Sequence, residues 1–347
     1  MKQVSTKAIA IFLLVSNLLF PSLLLAMEGT LLVANRDGGS ISLIDFPTRV
    51  EIARLPVGPV IPHEVDVSPD GRLALTSEYG TKNRHGRHLV LIDIETAKVL
   101  SRIDVGPNSR PHTALFLPDG KRAVATLEES DQLALIDLQA GKVVRTYPTG
   151  AREGHMVRLS PDGSRAYVTS RKGRGACSVI FLDEERDTVV IPTGDGAEGL
   201  AVSPDGSEIW VANRGEETIS VIDADSLKIV ATLPSRPYAG RIEITADGRY
   251  AVVPNGSGAG RVSNYLRVYD VENRRMIAET PLRDGTPQIG YFGILIRGDT
   301  VFVTDPLADL ADTFELPALT GSASFLRHHE APDGMAWSPR RVAVMEK

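Results

Sequence analysis

The sequence predicts an all-β chain: a seven-bladed β-propeller of four-stranded antiparallel blades, its ring closed by a C-terminal strand that joins the N-terminal blade. Three observations predict it. A turn tetrad recurs at a near-constant period, an apolar strand ending in aspartate recurs in step with it, and the strand missing from the first repeat reappears at the end of the chain.

The turn is Ser160-Pro161-Asp162-Gly163, set between the alternating strand Met156–Ser160 and the β-forming run Ala166–Thr169. Proline presets φ at the first central position, aspartate can bond nearby backbone, and glycine takes the positive φ that closes the hairpin. It returns as Ser68-Pro69-Asp70-Gly71, Leu117-Pro118-Asp119-Gly120, Ser203-Pro204-Asp205-Gly206 and Thr245-Ala246-Asp247-Gly248, with weaker copies starting at Ile296 and Ser338. First positions are 49, 43, 43, 42, 51 and 42 residues apart. Apolar strands end at Asp45, Asp93, Asp137, Asp183, Asp223 and Asp270, each followed by a turn and another β-rich run. Each repeat therefore holds four strands, a to d, the pattern of radial blades.

Repeat one opens directly on strand b, Thr30–Ala34. Its missing strand a is Gly334-Met335-Ala336-Trp337-Ser338, which copies Gly199-Leu200-Ala201-Val202-Ser203. Such closure covers sheet edges that would otherwise invite aggregation. The expected blades are 29–58 with 333–347, then 62–106, 110–150, 154–194, 197–236, 239–282 and 286–330. The last is irregular, because LADLADTFEL within 306–330 reads as helix-like.

Residues 1–26 read as an export signal, with Lys2 and Lys7 before the apolar run Ala8–Leu25 and small Ala26 at the cleavage point; an uncleaved anchor is the alternative. Residues 27–347 then form a single propeller domain, periplasmic or secreted, with no further membrane span and a monomeric state expected. Losing two lysines moves the net charge from −6 to −8, which argues against a nucleic-acid partner. The single Cys177 excludes an internal disulfide framework and reads as a buried strand residue.

AYVTS at 166–170, IWVANRGEETISVIDADSLKIVATL at 209–233 and the recurrent turns resemble the YVTN-type β-propeller repeat family of periplasmic and secreted proteins. The resemblance covers nearly all of residues 29–347. It implies the fold but not a single function, since that family hosts binding proteins, scaffolds and some enzymes.

Propeller geometry places the d-to-a and b-to-c loops on one face, the top. The inserted loops 78–88 and 256–264 both fall there, as binding-face insertions do. Where strand a begins, successive blades present His63, His112, His155, Glu198, Gly240, Tyr291 and Asp333. His63, His112, His155 and Glu198 could hold a divalent transition metal such as zinc; repeat duplication would also put histidines there with no ligand duty. A second ring, where strand b ends, is Arg36, Glu78, Glu128, Arg171, Arg214 and Asp305. The acids of blades two and three are expected beside His63 and His112. Arg152, Arg174 and Arg241 extend a basic sector suited to an anionic ligand. His328 and His329 precede the closing strand and are placed at the top rim or in water.

No Walker loop, GxSxG elbow or HExxH is present, and the glycines at 256–260 precede no helix. The leading expectation is an exported binding or scaffold propeller that engages a small anionic ligand or a partner protein. A metal-dependent, lactonase-like lyase or hydrolase using the histidine and glutamate cluster is the alternative. Resemblance to periplasmic haem-binding propellers implies a third, cofactor-handling role with one histidine as axial ligand; covalent haem is excluded because no CxxCH occurs.

Overall fold

The computed structural model describes residues 27–58, 61–81, 83–107, 109–256, 263–282, 293–321, 324–325 and 330–343. The expected export signal lies outside them, as do Tyr291, His328, His329 and most of the glycine-rich loop. Seven antiparallel sheets follow one another around a central channel. Among the described residues no helix is long and apolar enough to cross a membrane.

The strands fall where the tetrads and aspartates place them. Blade four, for example, is Gly154–Leu159, Arg165–Ser170, Ala176–Phe181 and Val189–Pro192, paired in that order. In the tetrads led by Ser68, Ser160, Ser203 and Thr245, the hydroxyl bonds the aspartate and accepts an N–H across the turn: Ser160 Oγ donates to Asp162 at 2.5 Å and accepts from Arg165 at 2.9 Å. The aspartates that end strand c cap the next turn, as Asp93 Oδ1 does for Thr96 N at 2.9 Å and Asp223 Oδ1 for Ser226 N at 2.8 Å. Asp183 departs from this, lying two residues past its strand and exposed.

The tetrads also interlock between blades. Gly163 has φ 73°, and a Cβ there would sit 2.6 Å from Pro118 Cδ of the preceding blade's turn. Gly71 meets Pro339 and Gly206 meets Pro161 in the same way. Gly163→Ala therefore combines left-handed strain with overlap, and a loss of about 2–3 kcal/mol in denaturant unfolding is expected. Gly141→Ala, where φ is 62° and nothing lies within 4 Å, should lose only about 1 kcal/mol. Equal losses would show that the interlock contributes nothing.

Ring closure is as the terminal copy predicts. Pro332–Ser338 pairs with Gly29–Asn35, which pairs with Ser40–Phe46 and then Val50–Pro56. Phe46, Phe302, Phe325 and Trp337 seal the junction of blades one and seven with edge-to-face contacts, Phe46 to Trp337 at 5.1 Å.

Blade seven corrects the helix-like reading of LADLADTFEL. Leu310–Glu315 is strand c, paired residue by residue with Thr300–Asp305. Its helix-forming residues are overridden by a neighbouring strand whose backbone groups require partners. Among the described residues this sheet has three strands, and bridges from Ala311 to Phe325 and Glu315 to Thr320 mark the fourth position.

Candidate functional site at the channel mouth

Strand a carries a bulge where the mouth residues sit. Register shifts fall between Pro111 and Ala114, Gly154 and Val157, and Ala197 and Leu200, so His112, His155 and Glu198 leave the ladder. A bulge re-aims a side chain but strands backbone groups. Threonines of strand b supply the partners. Thr126 Oγ1 donates to His155 O at 2.7 Å and accepts from Thr113 N at 3.1 Å. Thr169 does the same for Glu198 O (2.5 Å) and Met156 N (3.3 Å), and Thr304 for Asp333 O (2.9 Å) and Gly293 N (2.8 Å). The threonine of the repeat signature thus positions the mouth residue of the next blade.

The three histidines form a file. Ring centroids of His63 and His112 are 5.3 Å apart, and those of His112 and His155 only 3.7 Å. Tyr79 packs edge-on against His63 and His112 at 4.6 and 4.7 Å, and the Arg110 guanidinium covers Tyr79 at 4.1 Å.

His155 lies between two carboxylates, with Nδ1 3.2 Å from Glu128 Oε2 and Nε2 3.1 Å from Glu198 Oε1. Arg171 bridges the same acids, 2.7 Å from Glu128 and 3.8 Å from Glu198. Arg110 reaches Glu128 at 3.2 Å, Arg214 reaches Glu198 at 3.1 Å, and Tyr79 Oη donates to Glu128. Burial alone pushes both carboxyls up. His155 with the arginines outweighs it and holds each at about 2. His112 is lowered well below the ordinary histidine value, first by burial and then by His155 and His63, so it is held neutral.

His63 stands at the open end, its side chain 17% exposed, with Nδ1 2.8 Å from Asp333 Oδ2. That carboxylate is held down by His63 and Arg241 against its burial.

Several expected mouth residues stand elsewhere. Glu78 is not beside His63. It turns outward, 2.8 Å from His88 Nδ1 and bonded to Arg102, because both project from the outer strands of its own blade. Glu128, expected beside His112, binds His155 of the next blade. Asp305 caps a turn through Leu307 N and Ala308 N at 3.0 Å. Arg36 pairs with Asp37 at the rim, Arg152 and Arg174 are exposed, and Arg241 lies below the mouth against Glu64 and Asp333. The four-ligand shell of His63, His112, His155 and Glu198 is not assembled: His155 spends both nitrogens on carboxylates, and among the described residues no three histidine, cysteine, aspartate or glutamate side chains are grouped to hold a metal.

Sequence reasoning missed Tyr79, Arg110, Glu64 and the threonines. Only the threonines left a signal, their repetition at one strand position.

The fold and the mouth define a seven-bladed β-propeller whose channel opens through a ring of buried histidines, carboxylates and arginines. No family model matches the chain. It is 25% identical over 174 residues to a dihydro-heme d1 dehydrogenase of Pseudomonas aeruginosa, covering 48% of this chain and 34% of that protein. Protein NirF of Stutzerimonas stutzeri is 35% identical over 121 residues (35% of this chain, 26% of that protein), and protein YncE of Salmonella typhimurium 27% over 143 residues (40% and 39%). The matches thus span about a quarter to two fifths of these relatives. Among solved structures, a chain of hydrazine synthase from Kuenenia stuttgartiensis aligns with TM-score 0.62 at 21% identity, over 74% of this chain and 76% of that one. A protein from Desulfotomaculum acetoxidans aligns with TM-score 0.73 at 15% identity, over 90% and 100%. Both likenesses concern the fold alone.

Proposed function

We propose that the protein is an exported cofactor-handling propeller that holds an anionic, iron-bearing tetrapyrrole at its channel mouth. The observation that carries this reading is His63, partly exposed at the open end of the histidine file with the Asp333 carboxylate 2.8 Å behind its Nδ1. A carboxylate behind a histidine fixes its tautomer and raises its basicity toward a metal. Arg171 and Arg214, with 21% and 24% of their side chains exposed, retain surface for the carboxylates of such a ligand.

Arg36 and Arg84 flank a cleft of about 270 Å³ with Gly38, Gly39 and Gly58 in its lining, and Ile61 in its wall is two residues from His63. That is below the roughly 300–1,000 Å³ of pockets that enclose a whole ligand, so the cleft suits one edge of a planar group. The donor set fits the group: one imidazole lone pair and guanidinium forks. The relative from Pseudomonas aeruginosa, whose name makes a haem-type tetrapyrrole its substrate, supports the same class. When bound, the iron supplies redox chemistry; this chain's own part is to ligate, orient and hold the carboxylates.

The test is titration of the purified protein with haemin, followed by the Soret band. A saturable red shift with one-to-one stoichiometry is expected, lost in His63→Ala and restored there by free imidazole. A second reading, anion binding without a metal bond, rests on the same arginines. Equal binding of iron-free protoporphyrin, unaffected by His63→Ala, would establish it and overturn the first.

A further inference from the structure

Below the mouth the channel widens into a cavity of about 430 Å³. It lies on the far side of the Glu64–Arg241 ion pair from the histidines, and nothing in the mouth chemistry uses it. Strand a reaches it two residues before each turn. There blade two supplies Asp66, blade four Arg158 and blade six Glu243, while blades three and seven supply Leu115 and Ile294.

The hydrogen-bonding inventory of this cavity is lopsided. Asp66 Oδ2 accepts Phe116 N at 2.8 Å and Glu243 Oε2 accepts Ile296 N at 3.1 Å, so each carboxyl is already tied to the next strand a. Among the described residues Arg158 donates only to Val157 O, at 3.1 Å, and no carboxylate comes within ion-pairing range of it. Arg241, 5% exposed and lining the same cavity, has an Nε with no partner. Arg158 therefore lines, with unused guanidinium donors, a space walled on other sides by Leu115, Ile294, Ile296 and Trp337, while the unpartnered Nε of Arg241 is enclosed by protein beside it. Buried donors without acceptors are unfavourable, and a guanidinium fork matches a carboxylate in two bonds.

We infer that the lower channel is a second ligand site, specific for a small organic carboxylate, which it binds together with a proton. The charged groups facing the cavity are Glu64, Asp66, Arg158, Arg241 and Glu243, with Arg297 at its lower rim. Burial lifts Asp66 to about 6 and Glu243 to about 7, with backbone N–H groups and Arg158 only partly opposing it. Protonated, the two carboxyls leave the guanidinium groups in excess and add O–H donors. Ionised, they put negative charge opposite the ligand. An anion between them and Arg158 raises their proton affinity further, so binding takes up a proton near neutral pH and weakens as pH rises.

The experiment is calorimetric titration of the full chain with benzoate and with acetate at pH 5.5, 7.0 and 8.5, in buffers of different ionisation heat. Saturable binding at pH 5.5, at least tenfold weaker at pH 8.5, with net proton uptake at pH 7.0, is the expected result. Arg158→Met should weaken it more than tenfold. Glu243→Gln should cut the difference between pH 5.5 and pH 8.5 to well below that of the wild type, the remainder coming from Asp66. His63→Ala should leave it unchanged, which separates this site from the mouth. Absence of binding by the folded protein at pH 5.5, equal affinity at the two extremes, or wild-type affinity in a folded Arg158→Met would overturn the inference. Should that variant not fold, the pH profile of Glu243→Gln against wild type decides.

Discussion

Glu128→Ala is expected to destabilise the protein by about 3–5 kcal/mol, the range for removing one partner of a buried ion pair and leaving the other charges uncompensated. The side chain is 1% exposed and is shared by His155, Arg171, Arg110 and Tyr79. Its removal leaves His155, Arg171 and Arg110 without their shared buried acid; Glu198 still serves His155, and the more exposed Glu129 and Glu153 lie 3.4 Å from Arg110 and 4.0 Å from Arg171. The loss should depend on pH with a definite sign. Glu128 and Glu198 are held at about 2 against an ordinary 4.5, so the stability they contribute is present above about pH 4.5 and is lost as pH falls towards 2. Urea unfolding at pH 7 and pH 3 should show the variant and wild type converging on the acid side. A loss under 1 kcal/mol at pH 7, or one that grows on acidification, would show that burial of these charges is not offset by their pairing.

Truncation after Ala331 should abolish cooperative folding. The removed segment supplies strand a of blade one, with Leu31 opposite Trp337 and Thr30 opposite Ser338. It also supplies Asp333 behind His63, Trp337 against Phe46, and links from Ser338 Oγ to Gly71 O (2.5 Å) and Arg341 Nε to Asp45 (2.8 Å). Losing the whole channel-side strand of blade one exceeds what a domain with about 5–15 kcal/mol of net stability tolerates, and the bared edge of Gly29–Asn35 would template association. The measurement is thermal unfolding by circular dichroism with light scattering. A broad or absent transition with aggregation is expected, partly reversed by adding a peptide of residues 330–347. A sharp two-state melt near the wild-type temperature would mean that closure is not what holds the ring.

Much of the fold was legible because its determinants are local. The tetrads fold by their own hydroxyl, proline ring, carboxylate and left-handed glycine, with Leu117 and Ala246 as the two replacements in the five full copies, and the strand c aspartates other than Asp183 cap the turn that follows them. These bonds span two to five residues and leave a mark in every repeat. The closing strand was legible for a related reason, since Gly334–Ser338 copies Gly199–Ser203 and only one place in the ring lacked it.

The mouth was half legible. One strand position in consecutive blades brought His63, His112, His155 and Glu198 together in the reading and in the molecule. Their partners were misplaced, because a side chain at the end of strand b takes its direction from the loop that follows. Glu78 enters an inserted hairpin, Gly80–Thr81 with Arg84–His85, and turns to His88. Glu128 opens a single turn of 3₁₀ helix and reaches across to His155.

By itself, then, the sequence determined the blade number, the turn chemistry, the closure and the identity of the mouth histidines, all consequences of short-range bonding repeated in register. Only the tertiary structure decided which acid serves which histidine, that Leu310–Glu315 is a strand, and that Asp66, Arg158 and Glu243 share one cavity. These depend on contacts between residues from 10 positions apart, as Glu78 and His88 are, to 270, as His63 and Asp333 are, or on a neighbouring strand's need for backbone partners, and neither the spacing of a motif nor the propensity of a segment encodes them.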